Sequence, residues 1–436
     1  MATQDHQKTP TKAAFASLIG GSIEWYDFYI YATAAALVFN QTFFPSYDPL
    51  VGTLLAFGTY AVGAIMRPLG GLIFGHFGDR FGRKAMLVWT LMAMGSATVL
   101  IGLLPTYEQI GIAAPILLLT LRSLQGLAFG GEWAGAALVA VEHAPDKKTG
   151  IFGSFAQMGS PIGLLMSTGT FTLLSFLSKD QFAVWGWRIP FVASALLVVV
   201  GLVVRLKLFE SPAFQEVVAK GEVSNRPVAD VLRNNFSTVA IAGGVILCTV
   251  VAFHVEAVFL VSYATQSVGV PRQVVLNALL VTSVFQIFLL PSFAYIGDIV
   301  GVRTIALFGA IMTGVCAFPF FWLVDLGTPL AITGGMCLGL IGIAALFSVL
   351  PSLISSMFEP RVRYSGMSIA YGVAAGVVGG LSPLLSGSLY VWAKASWPIA
   401  LYLVFASIIS VVSILSVPNP AAVAKRREVP LARAPA

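Results

Sequence analysis

The sequence has little charge, few cysteines and none of the short motifs that mark an enzyme. Asp, Glu, Lys and Arg make up 10% of its 436 residues, whereas soluble globular domains contain about 25%. The three cysteines stand at unrelated spacings, which argues against a disulfide framework and against a metal site. There is no G-x-S-x-G, H-E-x-x-H or C-x-x-C motif, and no G-x-x-x-x-G-K-S/T loop to couple ATP. We therefore expect that the protein is not an enzyme and has no catalytic residues. We also expect no cofactor and no metal.

The sequence consists largely of long apolar runs. Apolar and aromatic residues make up 57% of the chain, and its mean hydropathy is +0.88. Many runs reach about 20 residues, which crosses a ~30 Å hydrocarbon core as a helix, and they lack the alternation of a barrel strand. We predict an all-α polytopic membrane protein with twelve transmembrane helices and no removable signal peptide. The expected spans are 15–39, 51–75, 85–104, 112–140, 151–177, 187–204, 237–262, 274–296, 304–325, 328–357, 365–392 and 397–417.

The basic residues predict the orientation of these spans. Nineteen of the 25 lysines and arginines fall in the termini and the even-to-odd loops, and 4 fall in the loops on the other side. Cytoplasmic loops carry such an excess in membrane proteins. Both termini are therefore expected in the cytoplasm. The net charge of +6 follows from this topology, and nothing indicates a nucleic-acid partner.

The sequence also indicates that a unit of six spans is duplicated. A polar stretch at 209–236 separates two sets of six spans, and Asp79 and Pro161 in the first set recur as Asp298 and Pro383 at similar offsets in the second. A repeated bundle is typical of transporters. The predicted units are an N-terminal six-helix bundle, a cytoplasmic linker and a C-terminal six-helix bundle with a cytoplasmic tail: 1–208, 209–236 and 237–436.

Several motifs resemble those of one superfamily of transporters. The segment GHFGDRFGRKAML (75–87) matches the loop signature of the major facilitator superfamily, and RSLQG (122–126) is similar to its second motif. Other segments narrow the resemblance to the metabolite:proton symporter family, and TAAALVFNQTFFP (33–45) is most similar to its shikimate-transporter branch. These segments are EWYDF (24–28), RPLGG (67–71), GGEWAGA (130–136), WGWRIPF (185–191), ESPAF (210–214) and RYSG (363–366).

The resemblance implies two pseudo-symmetric six-helix halves, in a bacterial inner membrane, that import an organic acid together with a proton by alternating access. The chain departs from the pattern in two places. The second-half loop carries Ile299 and Val302 where the first half has arginines. After span 4, Thr149 stands where sugar-transporting relatives have an arginine, so a salt-bridge network there needs a different cation or lacks one link.

Charges inside the spans point to a polar pathway. At ~1.5 Å per residue, Asp27 lies about 18 Å deep in span 1, and Arg122 is comparably central in span 4. Charges at such depth are rare and usually face a cavity and a partner. We predict proton-coupling roles for three acids: Asp27, Glu132 and Glu24. The predicted substrate-binding residues are Arg122, Gln125, Tyr31, Gln157, Glu256, Tyr263, Gln286 and Tyr371. An arginine suits a substrate carboxylate because its guanidinium stays charged and binds in a fork.

A second group is expected to form a conformational latch at the membrane edge. The resemblance supplies this role, and its predicted members are Asp79, Arg80, Arg83, Glu142 and Asp298. The expected partners are a small organic anion, a proton and the lipid bilayer, with the chain acting as a monomer.

Alternatives remain open on the sequence alone. Glu24 and Arg67 lie at similar depth and could form a permanent structural pair. Asp27 and Glu132 are equally good proton carriers, and the role of His254 is undetermined. The substrate could be a zwitterion such as betaine, and export or antiport remains an alternative to uptake.

Overall fold

The protein is a bundle of long helices. The computed structural model describes residues 2–46, 55, 58–59 and 61–417, and these residues form helices and no strand. The predicted C-terminal tail beyond 417 and much of 51–60 in the second expected span lie outside the described residues. The long helices are α1 (Ala2–Leu37), α2 (Arg67–Phe81), α3 (Arg83–Leu103), α4 (Ala113–Glu142), α5 (Thr149–Leu174), α6 (Gly186–Leu206), α7 (Phe236–Gln266), α8 (Arg272–Val300), α9 (Val302–Asp325), α10 (Pro329–Ser355), α11 (Arg363–Ala393) and α12 (Trp397–Ser416).

Nine helices in the described part are long and apolar enough to cross a membrane, namely α3, α4 and α6 to α12. The remaining three are α1, α2 and α5. Of these, α1 has a polar N-terminal third, the described part of α2 is 15 residues long, and α5 is rich in Gly, Ser and Thr. The count of twelve membrane spans therefore stays a prediction, although the long helices follow the expected spans closely.

Glycines let the helices of the first half approach closely. A Cβ on Gly70 of α2 would collide with the backbone of Leu127 in α4, and one on Gly126 would collide with the backbone of Gly63. Small residues at such crossings allow the backbone-to-backbone contacts on which helix packing in a bilayer depends. This contact fixes α2 against α4 and thereby positions the polar side chains that both helices carry.

Two helix pairs make the most extensive contacts between the first six helices and the second six. In one pair α2 packs against α11, and in the other α5 packs against α8. The second helix of each set thus contacts the fifth helix of the other. This reciprocal arrangement is what a duplicated six-helix unit predicts. Between the two sets, the short helices Pro212–Ala219 and Pro227–Asn234 lie in the polar stretch 209–236.

Two helices of the second half contain π-helical turns. They are Val255–Phe259 within α7 and Gly372–Gly379 within α11. Such turns insert an extra residue into the helix and re-aim its side chains, and they are frequent at functional sites. Both segments contribute residues to the cavities that lie between and within the halves.

Candidate functional site

A cavity of about 410 Å³ lies between the two sets of helices. We call it the central cavity. Its floor and walls combine aromatic rings with a few polar groups, as is typical of small-molecule sites. The lining residues are Trp25, Arg67 and Ser160 from the first half, and Thr249, Val250, Phe253, His254, Gln286, Ile343, Phe347, Tyr371 and Ala375 from the second. Of the predicted substrate-binding residues, Gln286 and Tyr371 are therefore in its wall.

Arg67 supplies a positive charge to the central cavity. Its guanidinium carbon lies 3.9 Å from the ring centroid of Phe129 and 5.0 Å from that of Phe28. A guanidinium on an aromatic face is attracted by the ring quadrupole and is held in a defined plane. Arg67 thus brings to the cavity a guanidinium packed on aromatic rings, a group that can bind a carboxylate in a fork.

In this conformation no direct ion pair joins the described side chains of Glu24 and Arg67. The ion pairs within 4 Å among the described residues do not include these two side chains. Equal depth along two helices made the pair plausible, but depth does not determine which way each side chain faces. Glu24 is buried, and Arg67 lies instead over the aromatic rings.

Asp27 is held by hydroxyl groups in the interior of the first half. The hydroxyls of Thr98 in α3 and Ser194 in α6 each donate to its carboxylate at 2.7 Å. Its side chain is 1% exposed. A hydroxyl can donate or accept, so this environment accommodates Asp27 both as a carboxylate and as a neutral acid.

A hydrogen-bonded path joins Asp27 to Arg122. The Gln125 side-chain amide donates to Thr98 at 2.7 Å, and Arg122 donates to the Gln125 carbonyl oxygen at 3.1 Å. Thr98 in turn donates to Asp27. The structure therefore brings together three of the predicted residues, although Arg122 and Gln125 are not among the described residues that line the central cavity.

Tyr31, another predicted substrate contact, lies in the same interior. Its ring centroid is 4.1 Å from the guanidinium carbon of Arg122, and its hydroxyl bonds with that of Thr59 at 2.5 Å. Tyr31 is fully buried. In this conformation it supports Arg122 rather than facing the central cavity.

Glu132, the alternative proton carrier, sits in a buried ion pair. Its carboxylate pairs with Arg205 of α6 and accepts from the hydroxyl of Thr90. The sequence assigned Arg205 to the polar connection after span 6, but its side chain is 2% exposed. Sequence reasoning missed this partner. The available signal was that Arg205 interrupts the apolar run LVVRL (202–206).

A contact layer crosses the halves beside the central cavity. The indole of Trp133 stacks on the ring of Tyr371, with centroids 3.9 Å apart and planes at 7°. Trp133 donates to Gln157 at 2.8 Å, and Gln157 donates to the Phe347 carbonyl of the second half at 3.0 Å. Gln157 was predicted to bind substrate. Here it ties α5 to α10 through its amide.

Glu256 and Tyr263 occupy other parts of the second half. Glu256 lines two further cavities, of about 280 and 390 Å³. Tyr263 donates to Asp325, and Asp325 also accepts from Ser396 at 2.8 Å. Tyr263 therefore lies at a helix end outside the central cavity. No group of three or more His, Cys, Asp or Glu in the described part could hold a metal ion.

Asp79 joins the halves at the end predicted to be cytoplasmic. Its carboxylate accepts from the backbone amides of Tyr364 at 3.2 Å and Ser365 at 2.8 Å, in the first turn of α11. An anion at a helix N-terminus satisfies otherwise unbonded amides and the positive end of the helix dipole. Asp298 makes the reciprocal contact, because it accepts from the amides of Gly150 and Ile151 at the start of α5.

A network of charges surrounds the Asp79 contact. Arg83 lies 3.4 Å from Asp79 and 3.6 Å from Glu142, and Arg363 of the second half lies 2.9 Å from Glu142. We call these four residues the latch cluster. Of the two alternatives that Thr149 left open, a different cation or a missing link, the structure shows a different cation, Arg363. Arg363 lies in the other half, so the residues around Thr149 did not indicate it.

The remaining latch prediction differs in position. Arg80 is exposed, and its guanidinium lies over the ring of Phe81 at 5.6 Å. It takes no part in the described ion pairs of the latch cluster. Glu210 of the segment after α6 adds a contact that was not predicted, since it accepts from the amide of Arg83 at 3.0 Å.

The known proteins to which this chain is similar are named as transporters or transport proteins. Residues 13–239 match the profile of a family described as Sugar (and other) transporter. The chain is 40% identical over 412 residues to the shikimate transporter of Escherichia coli K12, covering 93% of each chain. It is 40% identical over 399 residues to the inner membrane metabolite transport protein YhjE of the same organism, covering 89% of this chain and 91% of that protein. The proton:xylose symporter XylE bound to 6-bromo-6-deoxy-D-glucose superposes with a TM-score of 0.73 at 15% identity, covering 95% of this chain and 97% of that one.

Proposed function

The chain belongs to the sugar (and other) transporter family of the major facilitator superfamily, and we propose that it imports a small carboxylate metabolite together with a proton. It is a membrane transporter and not an enzyme. We further propose that it works as a monomer in a bacterial inner membrane with both termini in the cytoplasm. Shikimate is the first substrate to test, because a relative that is 40% identical over most of its length is named a shikimate transporter.

The observation that carries the proton-coupling proposal is the environment of Asp27. Its carboxylate bonds to two hydroxyls, which can reverse their donor and acceptor roles when the acid takes up a proton. Glu132, by contrast, is paired with Arg205, and protonation there would leave a buried guanidinium without its counter-charge. The geometry thus favours Asp27 as the proton carrier.

The path from Asp27 to Arg122 offers a route for coupling. Neutralising Asp27 changes the charge that Arg122 experiences through Gln125 and Thr98, all within one half. Low-dielectric surroundings strengthen such interactions. We propose that this change in net charge alters the equilibrium between the two orientations of the halves.

Substrate recognition is assigned to the central cavity. Arg67 is positioned to hold the carboxylate, while Trp25 and Phe253 offer apolar faces and Gln286 offers an amide. We therefore propose that Arg67 anchors the carboxylate and that Arg122 serves proton coupling. Arg67→Lys should raise the half-saturation concentration, because the forked contact becomes a point charge. Arg122→Lys should instead reduce accumulation with a smaller effect on half-saturation.

Flux through purified protein in proteoliposomes tests the function. With an alkaline interior and labelled shikimate outside, the wild type should accumulate the label above its external concentration, and collapse of the pH gradient should release it. Net export under the same gradient would establish an antiporter. If shikimate is not transported, competition by a panel of organic acids and betaines identifies the substrate class. If the transport of none of these compounds depends on the pH gradient, the proposal of proton coupling is overturned.

A further inference from the structure

Glu256 is a buried acid that the proposed cycle does not use. It lies in the π-helical turn Val255–Phe259 of α7, and its side chain is 5% exposed. It stands at the junction of two cavities, of about 280 Å³ and 390 Å³. The larger of these shares four lining residues with the central cavity: Ser160, Phe253, Gln286 and Ile343. Glu256 is therefore within reach of the route that a substrate and its water would take.

Among the described residues, no positively charged side chain pairs with Glu256 or lines the two cavities at its carboxyl group. In the described part of the chain, no hydrogen bond or ion pair within 4 Å engages its carboxyl group. Its neighbour His254 directs Nδ1 to the carbonyl oxygen of Val250 at 2.8 Å. The titratable groups contributed by neighbouring helices are Tyr29 of α1, Cys316 of α9 and Cys337 of α10.

The other groups around the carboxyl are polar but uncharged. They are Ser160 of α5, Thr282, Ser283 and Gln286 of α8, and Thr313 of α9. From α12 comes the apolar Leu403, and α11 lines neither cavity. An ionised carboxylate in such a setting is costly, and the group becomes neutral instead. Hydroxyls and amides nearby can bond to the neutral acid.

We propose that Glu256 is a second proton-binding site of the transport cycle, located in the C-terminal half and separate from Asp27. In the conformation seen here the carboxyl carries a proton. When the halves move and water enters the adjoining cavities, the carboxylate becomes solvated and the proton leaves. This inference rests on the proposed proton-coupled function for its role in transport, but the protonation of Glu256 is measurable without any substrate.

Carbodiimide labelling measures that protonation. Dicyclohexylcarbodiimide adds to protonated carboxyls in apolar surroundings, and mass spectrometry locates the adduct in the peptide. Purified full-length protein should carry an adduct on Glu256 that decreases as the pH is raised, and Glu256→Gln should lose it. The exposed Glu222→Gln serves as the matched control and should label like the wild type. Absence of an adduct on Glu256 at every pH would overturn the proposal.

Transport stoichiometry measures the role in the cycle. The proton-to-shikimate ratio is obtained in proteoliposomes from the membrane potential and pH gradient at which net flux stops. Glu256→Gln should lower this ratio by one proton, and Glu256→Asp should restore it, because the shorter acid still binds a proton. An unchanged ratio in Glu256→Gln, with or without a raised half-saturation concentration, would exclude a coupled proton at Glu256. Lack of shikimate transport by the wild type would count against the proposed substrate, while the labelling result would still decide whether Glu256 binds a proton.

Discussion

Substitution of Asp79 by Asn should open the predicted cytoplasmic end of the protein. Asp79 receives two backbone amides from the first turn of α11 and lies 3.4 Å from Arg83. Asparagine keeps the size of the side chain and one acceptor oxygen but loses the charge and the second acceptor. The side-chain NH2 of asparagine would also replace one of the two oxygens that now accept from backbone N–H groups, so that a donor would face a donor. The change therefore weakens this contact between the halves without creating a cavity.

The magnitude follows from the contacts that are lost. A hydrogen bond to a charged group contributes about 1.5–3 kcal/mol, and an anion at a helix N-terminus contributes a further ~0.3–1 kcal/mol. Together these give about 2–4 kcal/mol. Because every ~1.4 kcal/mol is a factor of ten, the equilibrium between closed and open forms of this end should shift roughly 30- to 700-fold toward open.

Distance measurements between spin labels report this equilibrium. The labels go on cysteines introduced at Lys148 and Ser356, which are exposed at this end in opposite halves, after replacement of the three native cysteines. Asp79→Asn should increase the population with a long distance, whereas Asp146→Asn, an exposed acid of the same end, should not. If correctly folded Asp79→Asn gives the wild-type distance distribution, Asp79 does not hold the halves together.

Three further substitutions test the remaining assignments. Asp27→Asn should abolish accumulation of substrate against its gradient while retaining exchange, because the amide keeps shape but carries no proton; uphill uptake by this variant would redirect attention to Glu132. Arg363→Gln should increase the open population at the predicted cytoplasmic end, since it removes an ion pair between the halves. The control Arg361→Gln removes an exposed pair worth about 0–1 kcal/mol and should leave the spin-label distances unchanged. Equal effects of the two substitutions would contradict the latch. Glu132→Gln should lower the free energy of unfolding by about 3–5 kcal/mol, because it leaves the buried Arg205 without its counter-charge, and a thermal melt equal to that of the wild type would show that the pair is not structural.

The helices could be predicted from the sequence because apolar runs report directly on membrane burial. The expected span 85–104 corresponds to Arg83–Leu103, and 304–325 corresponds to Val302–Asp325. The burial of Asp27 and Arg122 was also predictable from their depth. Depth, however, says nothing about rotation or tilt of a helix. For this reason the sequence left open whether Arg67 pairs with Glu24, whereas in the structure Arg67 lies over aromatic rings at the central cavity.

Long-range partners were harder to predict than buried residues. Asp79, Arg83 and Glu142 were expected to act together, and the structure places them in one cluster. The fourth member, Arg363, is remote in sequence, and so is Arg205, the partner of Glu132. In each case the acid was identified and its cation was not. A surface lysine or arginine near a span end is common, so its sequence context does not distinguish an exposed charge from a buried partner.

The hydrogen bonds between the two sets of helices are concentrated in two places. Every hydrogen bond between the two sets of helices in the described part joins groups at the predicted cytoplasmic end or beside the central cavity. Opening that end must break the contacts of Asp79 and Asp298 together, because each caps a helix of the opposite half and the halves are joined at both places. A ligand compensates for this loss only through contacts that are stronger in the open form. Proton binding at Asp27 lies within one half and changes no inter-half bond directly. In the proposed cycle the proton therefore acts through Arg122 and the helices that carry it, while a substrate bound as proposed between Arg67 and Gln286 would contact both halves at once. This division predicts that proton and substrate each shift the spin-label distances partly when added alone and fully when added together.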